Sequence, residues 1–168
     1  MRRWEDKIVR DVGAWRKSMD KLIGHSLVLT NGCFDLLHIG HIELLQFIKT
    51  MSKNGTTLVV AVNSDSSVRQ LKGPTRPLVP EHQRLAVIAA LESVDFCFIF
   101  EEKRCDRIIR LVQPHVWAKG GDYTLDTLDP SERAAAEEIN AAITIIPFTH
   151  GISTTDIISR SQTATANT

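Results

Sequence analysis

Apolar residues in this chain fall into short continuous runs separated by stretches of helical period, a pattern that predicts repeated strand and helix units. The runs are Ser26 to Thr30, Thr57 to Val62, Phe96 to Phe100, His115 to Ala118 and Ile143 to Phe148. They lack the apolar/polar alternation of a half-exposed strand, as expected for strands of a parallel sheet covered on both faces. Between them, Ile42 to Met51, Ser64 to Leu71, Glu81 to Leu91, Arg104 to Val112, Ser131 to Ala141 and Thr154 to Arg160 suit helices. In the third of these, Leu85, Ile88 and Leu91 carry the period. Strands alternating with helices imply an α/β fold, a doubly wound, five-stranded parallel sheet in a single domain over residues 25–160. Ligands of such sheets bind beyond the carboxyl ends of the strands.

Two segments lie outside the pattern. Trp4, Ile8, Val12, Trp15, Met19 and Leu22 recur at spacings of three and four, so residues 1–24 read as a helical extension with one apolar stripe, buried against the domain or across a dimer. Residues 161–168 are small and polar without period, and a frayed tail is expected there. At 168 residues and 43% hydrophobic content the chain can bury one sizeable core. Twenty basic residues balance twenty acidic ones, so charge gives no reason to expect a nucleic-acid partner. No apolar run approaches the ~20 residues that span a bilayer, and no apolar signal core opens the chain, so a cytoplasmic protein is expected. The three cysteines, Cys33, Cys97 and Cys105, have no paired spacing, which argues against disulfides and structural zinc.

The chemistry concentrates where the first strand meets the first helix, in Thr30-Asn31-Gly32-Cys33-Phe34-Asp35-Leu36-Leu37-His38-Ile39-Gly40-His41. Free backbone N–H groups and the macrodipole make a helix start an anion site. Residues three apart share a helical face, so His38 and His41 can meet one phosphate, and Gly40 between them lets a nucleotide approach the backbone. A thiol nucleophile at Cys33 beside His38 is conceivable. Thr50-Met51-Ser52-Lys53 reads as a helix end with a lysine complementing the dipole, followed by Asn54-Gly55 as the stop. Ser153-Thr154-Thr155, after the fifth strand, offers hydroxyls at a second helix start.

On these residues the chain resembles the nucleotidyltransferase superfamily with an H-x-G-H signature and an Ile-Ser-Thr-Thr motif, the cytidylyltransferase-like group of Rossmann-like fold. Many members carry an arginine three residues before the second motif's glycine, where this chain has Phe148. Val62-Asn63-Ser64-Asp65, Leu71-Lys72-Gly73 with Arg76-Pro77, Gln83-Arg84, Val94-Asp95, Phe100-Glu101-Glu102 and above all Lys119-Gly120-Gly121-Asp122-Tyr123 are similar, in order and spacing, to heptose 1-phosphate adenylyltransferases. Departures are Arg104-Cys105 and Ala141-Ala142, where that family commonly has Thr-Pro and a glycine pair.

The resemblance implies a nucleotide site built from Thr30, Asn31, Gly32, Cys33, Phe34, Gly40, Lys119, Gly120, Asp122, Ser153, Thr154 and Thr155. It implies an acceptor site using Asp35, Asn63, Asp65 and Arg76, and His38, His41, Lys72 and Arg84 as catalytic groups. Read from the residues alone, Asp35 and Asp65 suit either helix capping or sugar hydroxyls. Lys72 and Arg76 suit either solvated charges or a lid over phosphates. Arg84 at a helix start is unfavourable unless an anion faces it. No Ser-His-Asp set or carboxylate pair supplies a dedicated base, and a sugar phosphate that is largely dianionic at neutral pH needs none. The expectation is transfer of AMP from ATP to D-glycero-β-D-manno-heptose 1-phosphate, with Mg²⁺ held mainly by the triphosphate rather than by protein ligands, in a homodimer without nucleic acid or membrane. The alternatives are a cytidylyltransferase using CTP with a polyol phosphate or phosphonate, and a nucleotide-sensing module without turnover.

Overall fold

The computed structural model describes residues 3–19, 24–121, 123–147 and 153–165. A 3₁₀ turn (Trp4–Lys7) and α1 (Val12–Met19) precede β1 (Ser26–Gly32), α2 (Ile39–Lys49), β2 (Thr56–Asn63), α3 (Asp65–Lys72) and α4 (Glu81–Ala90). Then follow β3 (Phe96–Phe100), α5 (Asp106–Val112), β4 (Val116–Gly120), α6 (Pro130–Glu138), β5 (Ala142–Ile146) and α7 (Thr154–Thr165). The five strands are all parallel, in the order β3-β2-β1-β4-β5. This is the doubly wound sheet expected from the apolar runs.

Alternation along β1 divides the core. Leu27 and Leu29 join Trp117 and the apolar residues of α5 and α6 on one face, whereas Val28 joins Leu44, Leu45 and Ile48 of α2 and Ile88 of α4 on the other. The order in which successive strands are added reverses at β1, which has β2 on one side and β4 on the other. The crevice at the carboxyl ends of β1 and β4 is the topological switch point, where such folds bind ligands. The far end of α2 is fixed from below. Lys49 Nζ donates to Thr56 O and to Asp95 Oδ2, each at 2.6 Å, and Leu58 N donates to the same carboxylate at 2.7 Å. Lys49, rather than Lys53, is thus the lysine of that helix end.

The N-terminal extension departs from the single helix its period suggests. Val9 N donates to Cys97 O at 2.8 Å and Ile8 bridges Cys97 in parallel, so these residues are extended along the outer edge of β3. Pairing with an open sheet edge outweighs helical period there. Lys7 Nζ donates to Leu91 O at 2.8 Å, and Trp15 packs on Phe96 with ring centroids 5.2 Å apart. Ile8, Val9, Val12 and Trp15 pack on the chain's own core, whereas Trp4 stays 41% exposed, so the stripe is covered only in part; Leu22 lies outside the described residues. Deleting residues 1–23 is expected to lower the melting temperature by about 5 °C or more, because it uncovers the β3 edge and Phe96. An unchanged melting curve would show these contacts to be idle. At the other end, α7 continues to Thr165, into the segment expected to fray. Among the described residues no helix is long and apolar enough to cross a membrane.

Candidate functional site

The segment 31–38 is the hub. After Gly32 the chain turns at Phe34, whose φ of 47° lies in the left-handed region that non-glycine residues rarely adopt. The Phe34 ring packs on Gly32, where a Cβ would stand 3.1 Å from Phe34 Cε2, so any larger residue would push the ring by a few tenths of an ångström. Phe34 is buried and contacts the His41 ring, centroids 5.3 Å apart.

His38 caps α2 in extended conformation, and the helix opens Ile39-Gly40-His41, with Gly40 buried. The two imidazoles are in contact, centroids 3.9 Å apart with their planes tilted by 37°. The backbone N–H of His38 donates to His41 Nδ1 at 3.3 Å, which places the proton of the neutral ring on Nε2. Burial, with the neighbouring His38 ring adding to it, lowers the His41 pKa to about 4. Burial also lowers that of His38, against the pull of the Asp156 carboxylate. The pair expected to meet phosphate is therefore neutral at physiological pH, a set of hydrogen-bond donors rather than cations.

The start of α7 docks on the same loop, with Thr154 Oγ1 donating to Leu36 O at 3.3 Å. Asp156, which the sequence reading left without a role, accepts from Ser153 N at 2.9 Å and Ser153 Oγ at 2.7 Å, and these bonds hold its carboxyl below the usual range. Thr155 is exposed beside it. Phe148, Gly151 and Ile152 lie outside the described residues.

Five expected site residues, Asp35, Asn63, Asp65, Arg76 and Arg84, make internal contacts that hold the site's walls. Asp35 is 4% exposed, and its carboxylate accepts from Arg76 Nε at 2.6 Å, Leu78 N at 2.9 Å and Val79 N at 2.9 Å. It staples the 73–80 loop to the 31–38 segment, and those bonds keep its pKa low against burial. Of the two roles its residue type allows, these bonds serve the structural one, and Arg76 spends its Nε on the same staple. Arg84 is 1% exposed and donates to Val79 O at 2.9 Å, Cys33 O at 2.5 Å and Asp65 Oδ1 at 2.8 Å. An anion facing this helix-start arginine is Asp65, so the guanidinium has a charge partner within the protein itself. Asn63 is likewise buried, its Nδ2 donating to Ser67 Oγ at 2.9 Å. Glu81, missed in the sequence, accepts from Asp65 N at 2.6 Å and completes this wall.

Lys72 differs from these. It ends α3 exposed, with no hydrogen bond or ion pair among the described residues, and lies close enough to Cys33 to pull on its thiol. Burial outweighs that pull and raises the Cys33 pKa, so the thiolate needed for a nucleophile is disfavoured.

On the opposite face of the crevice, Asn31 and Lys119 project from neighbouring strands. Asn31 Oδ1 accepts from Trp117 Nε1 at 3.1 Å and from Lys119 Nζ at 3.2 Å, and Lys119 Nζ lies 3.2 Å from Glu132 Oε2. Sequence reading finds Asn31 and Lys119 but not Trp117 or Glu132, whose separation along the chain gives no signal. Gly120 ends β4 and Asp122 lies outside the described residues. Thr30 is fully buried at the end of β1, its Oγ1 without a hydrogen-bond partner among the described residues.

An apolar cavity of about 490 Å³ lies between α2 and β5, lined by Gly40, Glu43, Leu44, Phe47 and Thr144 to Pro147. Its lining holds no cation and one carboxylate, so its side chains offer no charge complement to a phosphate, although Gly40 at the start of α2 borders it. Among the described residues no group of three His, Cys, Asp or Glu could hold a metal ion.

A family profile described as cytidylyltransferase-like matches residues 29–160. The "Bifunctional protein HldE" of Geotalea uraniireducens is 46% identical over 144 residues, covering 86% of this chain and 28% of that protein. The "Bifunctional protein HldE" of Pectobacterium atrosepticum is 43% identical over 146 residues, covering 85% and 29%. The chain thus spans less than a third of these relatives. A crystal structure of the lipopolysaccharide core biosynthesis protein from Thermoplasma volcanium matches with a TM-score of 0.59 at 30% identity, covering 76% of this chain and 98% of that one.

Proposed function

The chain belongs to the cytidylyltransferase-like family, and from that premise we propose that it transfers AMP from ATP to D-glycero-β-D-manno-heptose 1-phosphate, giving ADP-heptose and pyrophosphate. An oxygen of the sugar phosphate attacks the α-phosphorus, a P–O bond forms, and the bond to the β-phosphate breaks with its electrons leaving on pyrophosphate. The observation that carries transfer, as against passive nucleotide sensing, is the contacting His38–His41 pair at the start of α2. It offers neutral donors whose geometry is fixed before substrate arrives.

What supports ATP and the heptose is the Lys119–Tyr123 segment with its partners, together with relatives named bifunctional HldE and a neighbour named for lipopolysaccharide core biosynthesis. The residues divide the work. The free N–H groups of the α2 and α7 starts and the imidazoles hold phosphate oxygens, and exposed Lys72 is the mobile cation that closes on them. Asp35 and Arg84 hold the walls from behind. Mg²⁺, bound through the triphosphate, would neutralise phosphate charge that neutral imidazoles leave. The acceptor is already an anion, so no proton need be removed from it.

Pyrophosphate release measured across ATP, CTP, GTP and UTP, with sugar 1-phosphates and polyol phosphates as acceptors, tests the assignment. ATP with heptose 1-phosphate is expected to be best by about tenfold or more in kcat/KM. CTP preferred by that margin, or a polyol phosphate outcompeting the heptose, sinks the substrate assignment.

A further inference from the structure

One polar network in the crevice is built from side chains of β1, β4 and α6 and includes neither histidine. Trp117 Nε1 and Lys119 Nζ are donors with no acceptor capacity, so together they fix the Asn31 amide with Oδ1 toward them and Nδ2 outward. Asn31 Nδ2 has no partner among the described residues. Trp117 is fully buried and cannot yield. Lys119 is held by the buried Glu132, whose other oxygen accepts from Cys105 N at 2.9 Å and so ties the network to the start of α5. The ammonium also lies 5.1 Å from the Trp117 ring and 5.7 Å from that of Tyr123. Four side chains from three elements thus converge on one outcome, the presentation of an N–H donor at the switch point.

We propose that Asn31 Nδ2 reads a hydrogen-bond acceptor on the nucleoside part of the substrate, a ring nitrogen, base carbonyl or ribose oxygen, and that Glu132 is a positioning residue acting on it through Lys119. This rests on the nucleotide reading above. The electrostatics select the nucleoside over the phosphates. Glu132 neutralises Lys119 and the amide is uncharged, so this wall has no net charge and suits a neutral ring or sugar. The phosphate-holding features, the helix starts and Lys72, stand elsewhere.

Calorimetric titration of ATP, CTP and inorganic pyrophosphate into wild type, Asn31→Asp and Glu132→Gln tests it. Asn31→Asp keeps an oxygen for Trp117 and Lys119 but replaces the outward donor by an acceptor. Its Kd for the nucleotide that wild type prefers is expected to rise about tenfold or more, with pyrophosphate affinity unchanged within about twofold. Glu132→Gln keeps an acceptor for Cys105 N and is expected to raise the nucleotide Kd about threefold while sparing pyrophosphate. Unchanged nucleotide affinity in Asn31→Asp, with or without a fall in melting temperature, makes the amide an internal clamp and overturns the proposal. Equal weakening of pyrophosphate overturns it too, since Asn31 would then act on phosphates. If wild type binds the nucleotide and the variants match it, only this inference fails. If wild type binds none, the nucleotide reading fails and takes it along.

Discussion

Replacing His41 by alanine is expected to lower turnover by about 10²-fold or more while changing nucleotide affinity much less. The His41 ring is fixed on three sides, by the His38 ring, the Phe34 contact and the backbone bond to Nδ1, so its Nε2–H is a donor of set direction. A neutral donor gains most where charge grows during bond exchange, and less against a triphosphate already charged in the ground state. With a pKa near 4 the ring gives up no proton between pH 6 and 9, and turnover should show no acid limb from this residue in that range. Its stability signature has a definite sign. The folded pKa of about 4 lies below the ordinary 6.5, so between those values the unfolded chain binds more protons and stability falls as pH is lowered. His41→Ala should flatten that part of the melting-temperature profile relative to wild type. Equal turnover in the folded variant would falsify the catalytic role, and parallel pH profiles would show that the ring is not held neutral.

The sheet was legible because burial on both faces writes itself as continuous apolar runs, and a parallel order follows once helices fill the connections. The signature at residues 30–41 was legible because local spacing alone puts His38 and His41 on one helix start. What spacing does not encode is which charge faces which. Asp35, Asp65, Arg76 and Arg84 enter the expected site through the family resemblance, while spacing alone leaves Asp35, Asp65 and Arg76 open between a structural and a ligand role. Their partners are chosen by tertiary packing that brings the 73–80 loop onto the 31–38 segment. Glu132 and Trp117 were invisible for the same reason, since Asn31 meets Trp117 only through the pairing of β1 with β4. At the N-terminus the helical period of residues 4–22 is real, but an unpaired β3 edge competes for residues 8 and 9, and backbone pairing there wins.

The second large effect concerns stability. Arg84→Met is expected to destabilise the fold by about 3 kcal/mol or more, because it leaves Cys33 O, Val79 O and the Asp65 carboxylate without the donors that face them. At roughly 2–4 °C per kcal/mol for a domain of this size, the melting temperature should drop by about 6–12 °C. Asp65→Asn should cost much less, since an amide oxygen still accepts from the guanidinium and only the charge is lost. The double variant should then fall short of the sum of the two, as residues in one network do. Activity follows the wall. With Cys33 O and Val79 O released, the β1–α2 loop and the 73–80 loop part, so KM for both substrates should rise together in whatever fraction remains folded. An Arg84→Met protein that melts like wild type while losing only turnover would return the guanidinium to the reacting phosphates. A large fall in melting temperature, with a smaller fall in kcat for the folded enzyme, places it behind the site, holding in position the loop that follows Lys72 and carries Arg76.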